Sequence, residues 1–561
     1  FECTTGRSTI LFRAPYNADS EPRTYQELLP IARGKMHHYY TIGESIDPMD
    51  WEPGVSSDSI VSRVARIETE KLGNIILLHD AGGDTREATI DALPRIIKHF
   101  KNKGYHFTTV ADLIGKTKDD VMPVLPDGNE KWLIKLNFFM AEGAYWAGQL
   151  LFSLFVIGIA LSIGRMIVVG VLAYLQKQKE KETGAKGIAP VALPTPLVSV
   201  IVPAYNEEIN AVRTIKSLLD QDYENLEIIF VDDGSSDHTH QVVTEAYGQH
   251  EKVRVYTKNN GGKASALNYG INLSDAEFVV CIDADTQLSP DAVTKLMKRF
   301  RNKSVGAVAG NVKVGNELNL LTRWQSIEYI TSQNFDRRAF DLLNGITVVP
   351  GAIGAFRKEA IVAAGLFTSD TLAEDCDLTI RLLRCGYTVS NCPEAVSYTE
   401  APETLRGFMN QRFRWSFGVM QSFWKHRDAC FNPKYKALGM VALPNILIYQ
   451  MILPILSPLA DLILLLSLVA AGFHIVDIGL GGILFYYAIF MLVDMAGAAV
   501  AFAFEKQNLN KLWWMIPQRL VYRQLMYYVL IKSARKAIKG ELQGWGKLKR
   551  SGNVNHLAIS R

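Results

Sequence analysis

The chain has 561 residues, 48% of them hydrophobic, and a mean hydropathy of +0.05; it is too long for one core and too apolar for an ordinary soluble multidomain enzyme. Sixty basic against 57 acidic residues leave a formal charge of only +3, so no cationic excess is available to neutralise a nucleic-acid backbone, and nucleic acid is set aside as a partner. The six cysteines (Cys3, Cys281, Cys376, Cys385, Cys392, Cys430) form no C-x-x-C pair and no metal-ligand spacing, which fits reduced thiols in a cytosolic domain.

The chain opens at Phe1 with neither an initiator Met nor a charged-then-apolar leader, and reads as a fragment of a longer protein. Hydropathy divides it into a mixed first domain (1–120), a linker (121–145), a transmembrane span (146–175), a linker (176–196), a large polar α/β domain (197–435), an apolar membrane region (436–535) and a basic tail (536–561). From Trp146 the run WAGQLLFSLFVIGIALSIG, then Arg165, then MIVVGVLAYL is long enough to cross about 30 Å of hydrocarbon even when tilted; a buried soluble helix is the alternative. Lys177, Lys179, Lys181 and Lys186 follow the span, against Lys131 and Lys135 before it. This asymmetry puts the polar domain in the cytoplasm and the first domain outside, in an inner or plasma membrane.

PVALPTP is an extended linker. Residues 198–203, a short apolar β-branched run, predict a buried strand, and further strands are expected over 226–231 and 278–282, with a periodic helix over 211–219. Strands alternating with helices imply parallel β-α-β units, with ligands outside the carboxyl ends of the strands. From Ala437 the chain turns apolar again, with spans expected over 446–473 and 479–504 around a short HIVDI loop. WWMIPQRLVYRQLMYYVL carries Arg519 and Arg523 and fits either the membrane interface or a protein cavity.

Polar clusters fall where such a fold binds ligands. Pro203, Ala204, Tyr205, Asn206 and Glu207 end the first strand, and Asp232 and Asp233 begin an acidic turn after the second, placed to hydrogen-bond a base or ribose. Each alone also fits an ordinary strand-terminal turn. Asp283 and Asp285, one residue apart after the third strand, are hard oxygen ligands suited to Mg²⁺ or Mn²⁺ on a sugar diphosphate. Asn259, Asn260, Gly261, Gly262 and Lys263 let backbone and a cation approach a ligand, without the spacing of a Walker loop. Glu374, Asp375 and Asp377 open a helical segment; they are read either as dipole-favoured capping acids or with Asp375 as a general base. Gln411, Arg412, Phe413, Arg414 and Trp415 precede the membrane region. There an Arg can clamp a diphosphate and a Trp can stack on a sugar, or the segment can anchor an amphipathic helix at the interface.

Taken in order, VSVIVPAYNEE, VDDGSSD, NNGGKASALNYG, CIDADT, AEDCDL and QRFRW resemble the processive family 2 glycosyltransferases, which include chitooligosaccharide, hyaluronan, cellulose and poly-N-acetylglucosamine synthases. The resemblance covers about Leu197 to Gly418. It implies a GT-A fold with Ala204, Tyr205, Glu207, Asp233 and Lys263 around the nucleotide, and Asp283 and Asp285 at diphosphate and metal. It further implies Asp375 as base, with Glu374, Gln411, Arg414 and Trp415 near diphosphate and acceptor, and PGAIGAF beneath the acceptor terminus. Two positions depart from the pattern: Ala373 stands where a Thr often precedes the Glu-Asp pair, and Arg412 where a second Gln is frequent.

In the first domain, LFRAPYN, IDPMDW and NIILLHDAGGD resemble the later motifs of the polysaccharide (chitin) deacetylase family, with Arg13, Asp50, Trp51 and His79 at matching positions. That family's catalytic Asp and His-x-x-x-His metal pair come earlier, and the adjacent His37 and His38 do not substitute, so the block is expected to be a truncated, inactive half-domain. An unrelated α/β fragment is the alternative. Together the two resemblances imply a multi-pass membrane enzyme that transfers N-acetylglucosamine from UDP-GlcNAc, with inversion, to a growing β-linked polysaccharide and aids its export. Its partners would be the UDP-sugar, the polysaccharide and the lipid bilayer. Cellulose or hyaluronan synthesis, a polyprenyl-phosphate sugar transferase and a non-enzymatic carbohydrate-export or binding subunit stand as rivals.

Overall fold

The computed structural model describes residues 2–14, 24–70, 73–80, 86–126, 128–185, 195–472, 480–539 and 552–554, and it falls into two units, Phe1–Leu150 and Leu151–Arg561. Asn17, the AGGD at 81–84, most of the PVALPTP linker, Lys186, the HIVDI loop and nearly all of the basic tail beyond 539 lie outside the described residues.

In the first unit β1 (Leu11–Phe12) pairs in parallel with β2 (Tyr40–Thr41). Helix α1 (Tyr25–Met36) starts on a capping box between Thr24 and Glu27. On α2 (Ser57–Glu70) the apolar residues Ile60, Val64 and Ile67 recur at helical spacing, and on α3 (Glu87–Asn102) Ala92, Ile96 and Phe100 do the same. With Ile46 they close one small core.

Helix α4 (Asn129–Ala185) is longer than the expected span: it takes in 129–145 and 176–185, both anticipated as linker. No glycine-proline break or turn cluster interrupts the pattern there.

The polar domain is built on an eight-stranded sheet in the order β5 (Val253–Thr257), β4 (Leu226–Asp232), β3 (Val198–Ala204), β6 (Phe278–Cys281), β9 (Gly354–Arg357), β8 (Val305–Val314), β10 (Thr388–Thr399), β7 (Thr286–Leu288). Strand β3 (Val198–Ala204) is buried along its whole length. Period-2 alternation sends Val198, Val200 and Val202 into one core and Ile201 into another; on β4 (Leu226–Asp232), Ile228 and Phe230 take the first side, Ile229 and Val231 the second. A strand covered on both faces needs such a continuous β-branched run. Helix α5 (Ala211–Leu219) packs on the first face, and β5 (Val253–Thr257) extends the sheet beyond β4. Helix α6 (Lys263–Leu273) covers the second face. Strand β6 (Phe278–Cys281) pairs in parallel with β3 at Ile201↔Cys281, so β3, β4 and β6 end on one edge.

The other half adds antiparallel pairs to the parallel β-α-β units that the sequence implies. Strand β7 (Thr286–Leu288) is a short antiparallel edge. Strand β8 (Val305–Val314) runs antiparallel to β9 (Gly354–Arg357), which itself pairs antiparallel with β6, and β10 (Thr388–Thr399) lies parallel to β8. Between β8 and β9 come α7 (Leu320–Glu328), a π-helical turn (Tyr329–Asn334) and α8 (Phe335–Leu343). Helix α9 (Glu374–Arg384) precedes β10, and α10 (Leu405–Lys425) follows it.

Two further π-helical segments, Leu438–Ala442 and Ile446–Ile452, lead into α11 (Leu453–Gly472), followed by α12 (Leu480–Phe504) and α13 (Met515–Lys539). Among the described residues, Lys131–Glu182 and Leu438–Leu459 contain apolar stretches long enough to cross a membrane, and Met491–Phe504 is shorter. The two ambiguous arginines are paired: Arg519 Nε donates to Asp494 of α12 at 2.9 Å, and Arg523 lies 3.7 Å from Asp461 of α11. Both charges are thus met by acids on the neighbouring apolar helices, as intramembrane or cavity charges must be.

Candidate active site

The carboxyl ends of β3, β4 and β6 open into a cavity of about 1110 Å³ within the second unit. Ala204, Tyr205, Glu207, Asp233, Lys263, Asp283, Asp285, Glu374, Asp375, Gln411, Arg414 and Trp415 all line it, as do Pro350, Gly351 and Ala352. Of the residues anticipated around the nucleotide, Asp232 does not reach it. Its carboxylate turns inward, accepting from Thr257 Oγ1 at 2.9 Å and from the Ser235 amide.

Asp233 organises the glycine loop. Its carboxylate accepts from the amides of Gly261 (3.0 Å) and Gly262 (2.7 Å) and from Lys258 Nζ (2.7 Å), so the loop is clamped directly before Lys263 starts α6. Lys263 Nζ then sits 2.5 Å from Asp283 Oδ1 and 3.2 Å from Glu374 Oε1. Burial disfavours its charge, but Asp283, Glu374 and Asp375 more than reverse this and hold the ammonium firmly protonated. Space is tight: a Cβ on Gly351 would stand 2.5 Å from Nζ.

Asp285 is buried, with Thr286 and Thr399 hydroxyls on Oδ1. Asp283 and Asp285 share one wall of the cavity and offer hard oxygen donors, the chemistry that Mg²⁺ or Mn²⁺ prefers.

Asp375 occupies the first turn of α9 without capping it; the N-cap, Ala373, makes no side-chain hydrogen bond. Its Oδ1 accepts from the Cys376 amide at 2.8 Å. Burial first and the neighbouring Glu374 second push its carboxyl up to about 6, against the pull of Lys263. Asp377 has a different task. It accepts from His426 Nε2 (2.9 Å), Lys425 Nζ (2.9 Å), Arg381 Nε (2.8 Å) and Thr368 Oγ1 (2.9 Å). Burial opposes ionisation, yet these partners hold it well below the usual carboxylate range. It ties α9 to α10. Ala373 fits tightly under α10 as well, since a Cβ on Gly418 would stand 2.6 Å from its amide nitrogen.

On α10, Gln411, Arg414 and Trp415 follow i, i+3, i+4 spacing and share a face. The Gln411 side-chain oxygen is buried with no hydrogen-bond partner among the described residues, and the residue lines the cavity. Arg412, although it reaches the cavity lining, is engaged elsewhere. Its guanidinium pairs with Glu328 at 2.6 Å, donates to Tyr522 OH at 3.2 Å and lies 4.3 Å from the Trp415 ring centre. At 2% exposure it is a staple between α10, α7 and α13.

Sequence reasoning missed the far part of the cavity, lined by Arg165, Asp336, Asn445, Tyr449 and Tyr527. A charged Arg165 inside an apolar run was the signal for it.

In the first unit, His79 Nδ1 hydrogen-bonds Asp50 Oδ1 at 2.8 Å, while Asp50 Oδ2 accepts from the His79 amide and Thr89 Oγ1. Arg13 pairs with Glu44 at 2.6 Å, and Trp51 is exposed. Asp47, Asp50 and His79 bring one potential ligand atom each within 4.8 Å of one another; Asp47 had not been singled out.

Residues 199–363 match the family model described as Glycosyl transferase family 2. With the mixed sheet, this match identifies the domain as the α/β, GT-A-type glycosyltransferase fold. The chain is similar to poly-beta-1,6-N-acetyl-D-glucosamine synthase of Staphylococcus epidermidis, with 33% identity over 232 residues covering 40% of this chain and 56% of the relative. The synthase of the same name from Staphylococcus aureus is 32% identical over 222 residues, covering 39% and 54%. The chain thus spans about half the length of the curated relatives it matches. Among solved structures it is similar to the mannosyltransferase PcManGT from Pyrobaculum calidifontis in complex with GDP-Man and Mn²⁺, at 22% identity and a TM-score of 0.47, covering 69% of this chain and 99% of that one.

Proposed function

We propose that this chain is a membrane-embedded, inverting, processive glycosyltransferase that moves N-acetylglucosamine from UDP-GlcNAc onto a growing β-linked polysaccharide. The observation that carries the reading is one cavity holding a cation-bridged acidic cluster, Lys263 with Asp283 and Glu374, together with Asp375 and Gln411, and continuing to residues of the apolar helices. A site for a single small acceptor needs no such extension; a polymer needs a way out. The printed names of the Staphylococcus relatives support N-acetylglucosamine and a β-1,6 linkage.

In this reading Asp375, with its carboxyl raised to about 6, takes the proton of the acceptor hydroxyl as that oxygen attacks the anomeric carbon, since a base tuned near the working pH serves best. Ala204, Tyr205, Glu207 and the loop clamped by Asp233 surround the nucleotide. Gln411, Arg414 and Trp415 face the diphosphate and acceptor. Asp283 and Asp285 would hold Mg²⁺ or Mn²⁺, which supplies charge neutralisation for the departing UDP. The lysine asymmetry around Lys131–Glu182 supports a cytoplasmic glycosyltransferase domain in the inner or plasma membrane, where a UDP-sugar is at hand. In the first unit, the Asp50–His79 pair and Arg13 support a deacetylase-like origin.

Incubating the full chain in native-like membranes with radiolabelled UDP-GlcNAc, followed by linkage analysis, tests this. Labelled β-1,6 polymer with stoichiometric UDP release is expected. Label on a lipid carrier, or incorporation from UDP-glucose alone, would replace the reading by one of its rivals, and absence of UDP release would remove it.

A further inference from the structure

Arg165 stands inside the apolar stretch of α4 and is tied to three other elements of the second unit. Nη2 meets Asp336 Oδ2 of α8 at 2.5 Å, Nε donates to Asn445 Oδ1 at 2.9 Å, and the guanidinium lies 5.1 Å from the Tyr449 ring centre. Tyr449 in turn donates its hydroxyl to the Leu161 carbonyl at 3.1 Å. All four residues line the cavity that holds Lys263, Asp375 and Gln411. Two π-helical segments border this end, contributing Ser332 and Gln333 from Tyr329–Asn334 and Tyr449 and Gln450 from Ile446–Ile452. Such segments are rare and concentrate at functional sites, where they turn side chains that a regular helix would hide.

A charge within an apolar helix is expensive, and here it is met by an acid, while the side chains of Arg165 and Asp336 remain 24% and 22% exposed. A compensated pair offers charge-assisted hydrogen bonds in both senses, donors from Arg165 and acceptors from Asp336, with no net charge. That suits a chain dense in hydroxyls and amides and uncharged overall. A uronate-bearing chain would instead have to compete with Asp336 for the guanidinium.

We propose that the Arg165–Asp336 pair, with Asn445 and Tyr449, is a positioning station that holds the uncharged product glycan behind the reaction centre and so sets how many sugars are added before the chain is released. This rests on the polymerising reading above. The pair touches the departing chain and not the reacting atoms, so its loss acts on release of the product rather than on donor binding.

The test compares Arg165→Ala, Asp336→Asn, Asn445→Ala and the conservative Arg165→Lys in the full chain. Measured for each are UDP affinity, the initial rate of first-sugar transfer to a short oligosaccharide, product length and melting temperature. Arg165→Ala and Asp336→Asn should release the chain about tenfold more often per addition, the effect of one lost charge-assisted hydrogen bond, giving correspondingly shorter polymer while UDP affinity and first transfer stay near normal. Asn445→Ala should shift length in the same direction by less, and Arg165→Lys should recover part of it. Unchanged polymer length in folded variants overturns the proposal, as does a joint fall of affinity, first transfer and melting temperature, which marks a purely structural pair. If the unaltered chain itself makes no polymer, the function proposed above falls instead.

Discussion

Lys263 Nζ lies 2.5 Å from Asp283 Oδ1, so the lysine at the start of α6 and the acid that follows β6 form one ion pair in the lining of the cavity. Glu374 and Asp375 arrive at the same ammonium from α9. Three carboxylates thus surround one cation, and its attraction opposes the burial that raises Asp375.

Replacing Lys263 by Ala should therefore do more than remove a contact. Without it, Asp375 keeps the Cys376 amide but loses the cation that lowers its carboxyl, and the acidic limb of the activity profile should move to higher pH while UDP affinity falls. Lys263→Arg should not restore either, because Gly351 leaves no room beside Nζ for a planar guanidinium. Calorimetric UDP titration with a pH profile checks both; a wild-type profile in Lys263→Ala would remove Lys263 from the charge network.

Asp375 must be ionised to accept a proton, so kcat/KM is expected to rise with pH through about 6 and the limb to disappear in Asp375→Asn, with the chemical step down by about 10² to 10⁴. The stability linkage runs the other way. A carboxyl raised in the folded state binds more protons folded than unfolded between its ordinary value of 3.8 and about 6. Its contribution is full below 3.8 and is lost as pH rises through 6. Asp375→Asn should flatten that part of the stability curve and retain UDP binding. Asp377, held low by its partners, contributes in the opposite sense: its stabilisation is present above the ordinary carboxylate value and lost as pH falls. Denaturant melts across pH 4 to 8 on both Asn variants separate the two acids.

Gln411 and Arg412 are adjacent in sequence and should fail differently. Arg412→Ala leaves Glu328 and Tyr522 without their cation and is expected to cost about 3–5 kcal/mol, as when one partner of a buried pair is removed, seen as a lower melting temperature. Gln411→Ala removes an oxygen with no hydrogen-bond partner among the described residues and should leave melting nearly unchanged while turnover drops. A large stability loss in Gln411→Ala would mean that its oxygen serves the fold rather than a ligand.

How much of this was legible in advance follows from the range of the interactions involved. Strands β3 and β4 were legible because burial on both faces demands an unbroken β-branched run, a local signature. Strand β9, GAFR, carries no such run or alternation, and its antiparallel insertion beside β6 is decided by the sheet rather than by the segment. The acids of α9 were recognisable as a cluster, but assigning Asp375 to the cavity and Asp377 to the scaffold depends on His426, 49 positions away. Arg412 sits among ligand-type residues and reads as one of them; only the approach of α13 reveals it as a staple. The Arg165–Asp336 pair joins residues 171 positions apart, beyond any pattern of spacing.

The last prediction concerns the divalent cation. Asp283 and Asp285 both line the cavity; on the reading proposed above they adjoin the sugar diphosphate, which carboxylates alone would repel. Lys263 offsets part of that charge but is already shared between Asp283 and Glu374, so it cannot by itself offset a diphosphate as well. Turnover is therefore expected to vanish on chelation and to return with Mg²⁺ or Mn²⁺. Asp283→Asn and Asp285→Asn should each raise the cation concentration needed for half-maximal UDP binding by at least about tenfold, since each removes one anionic ligand. The two variants should differ in a second respect. Asp283→Asn also frees Lys263 from its closest partner, so weak, cation-independent UDP binding is expected to increase, whereas Asp285→Asn leaves that ion pair intact and should not show it. Titrating UDP with and without cation on the two purified variants resolves both effects. Full activity of either variant after chelation would mean that Lys263 and Arg414 carry the diphosphate unaided.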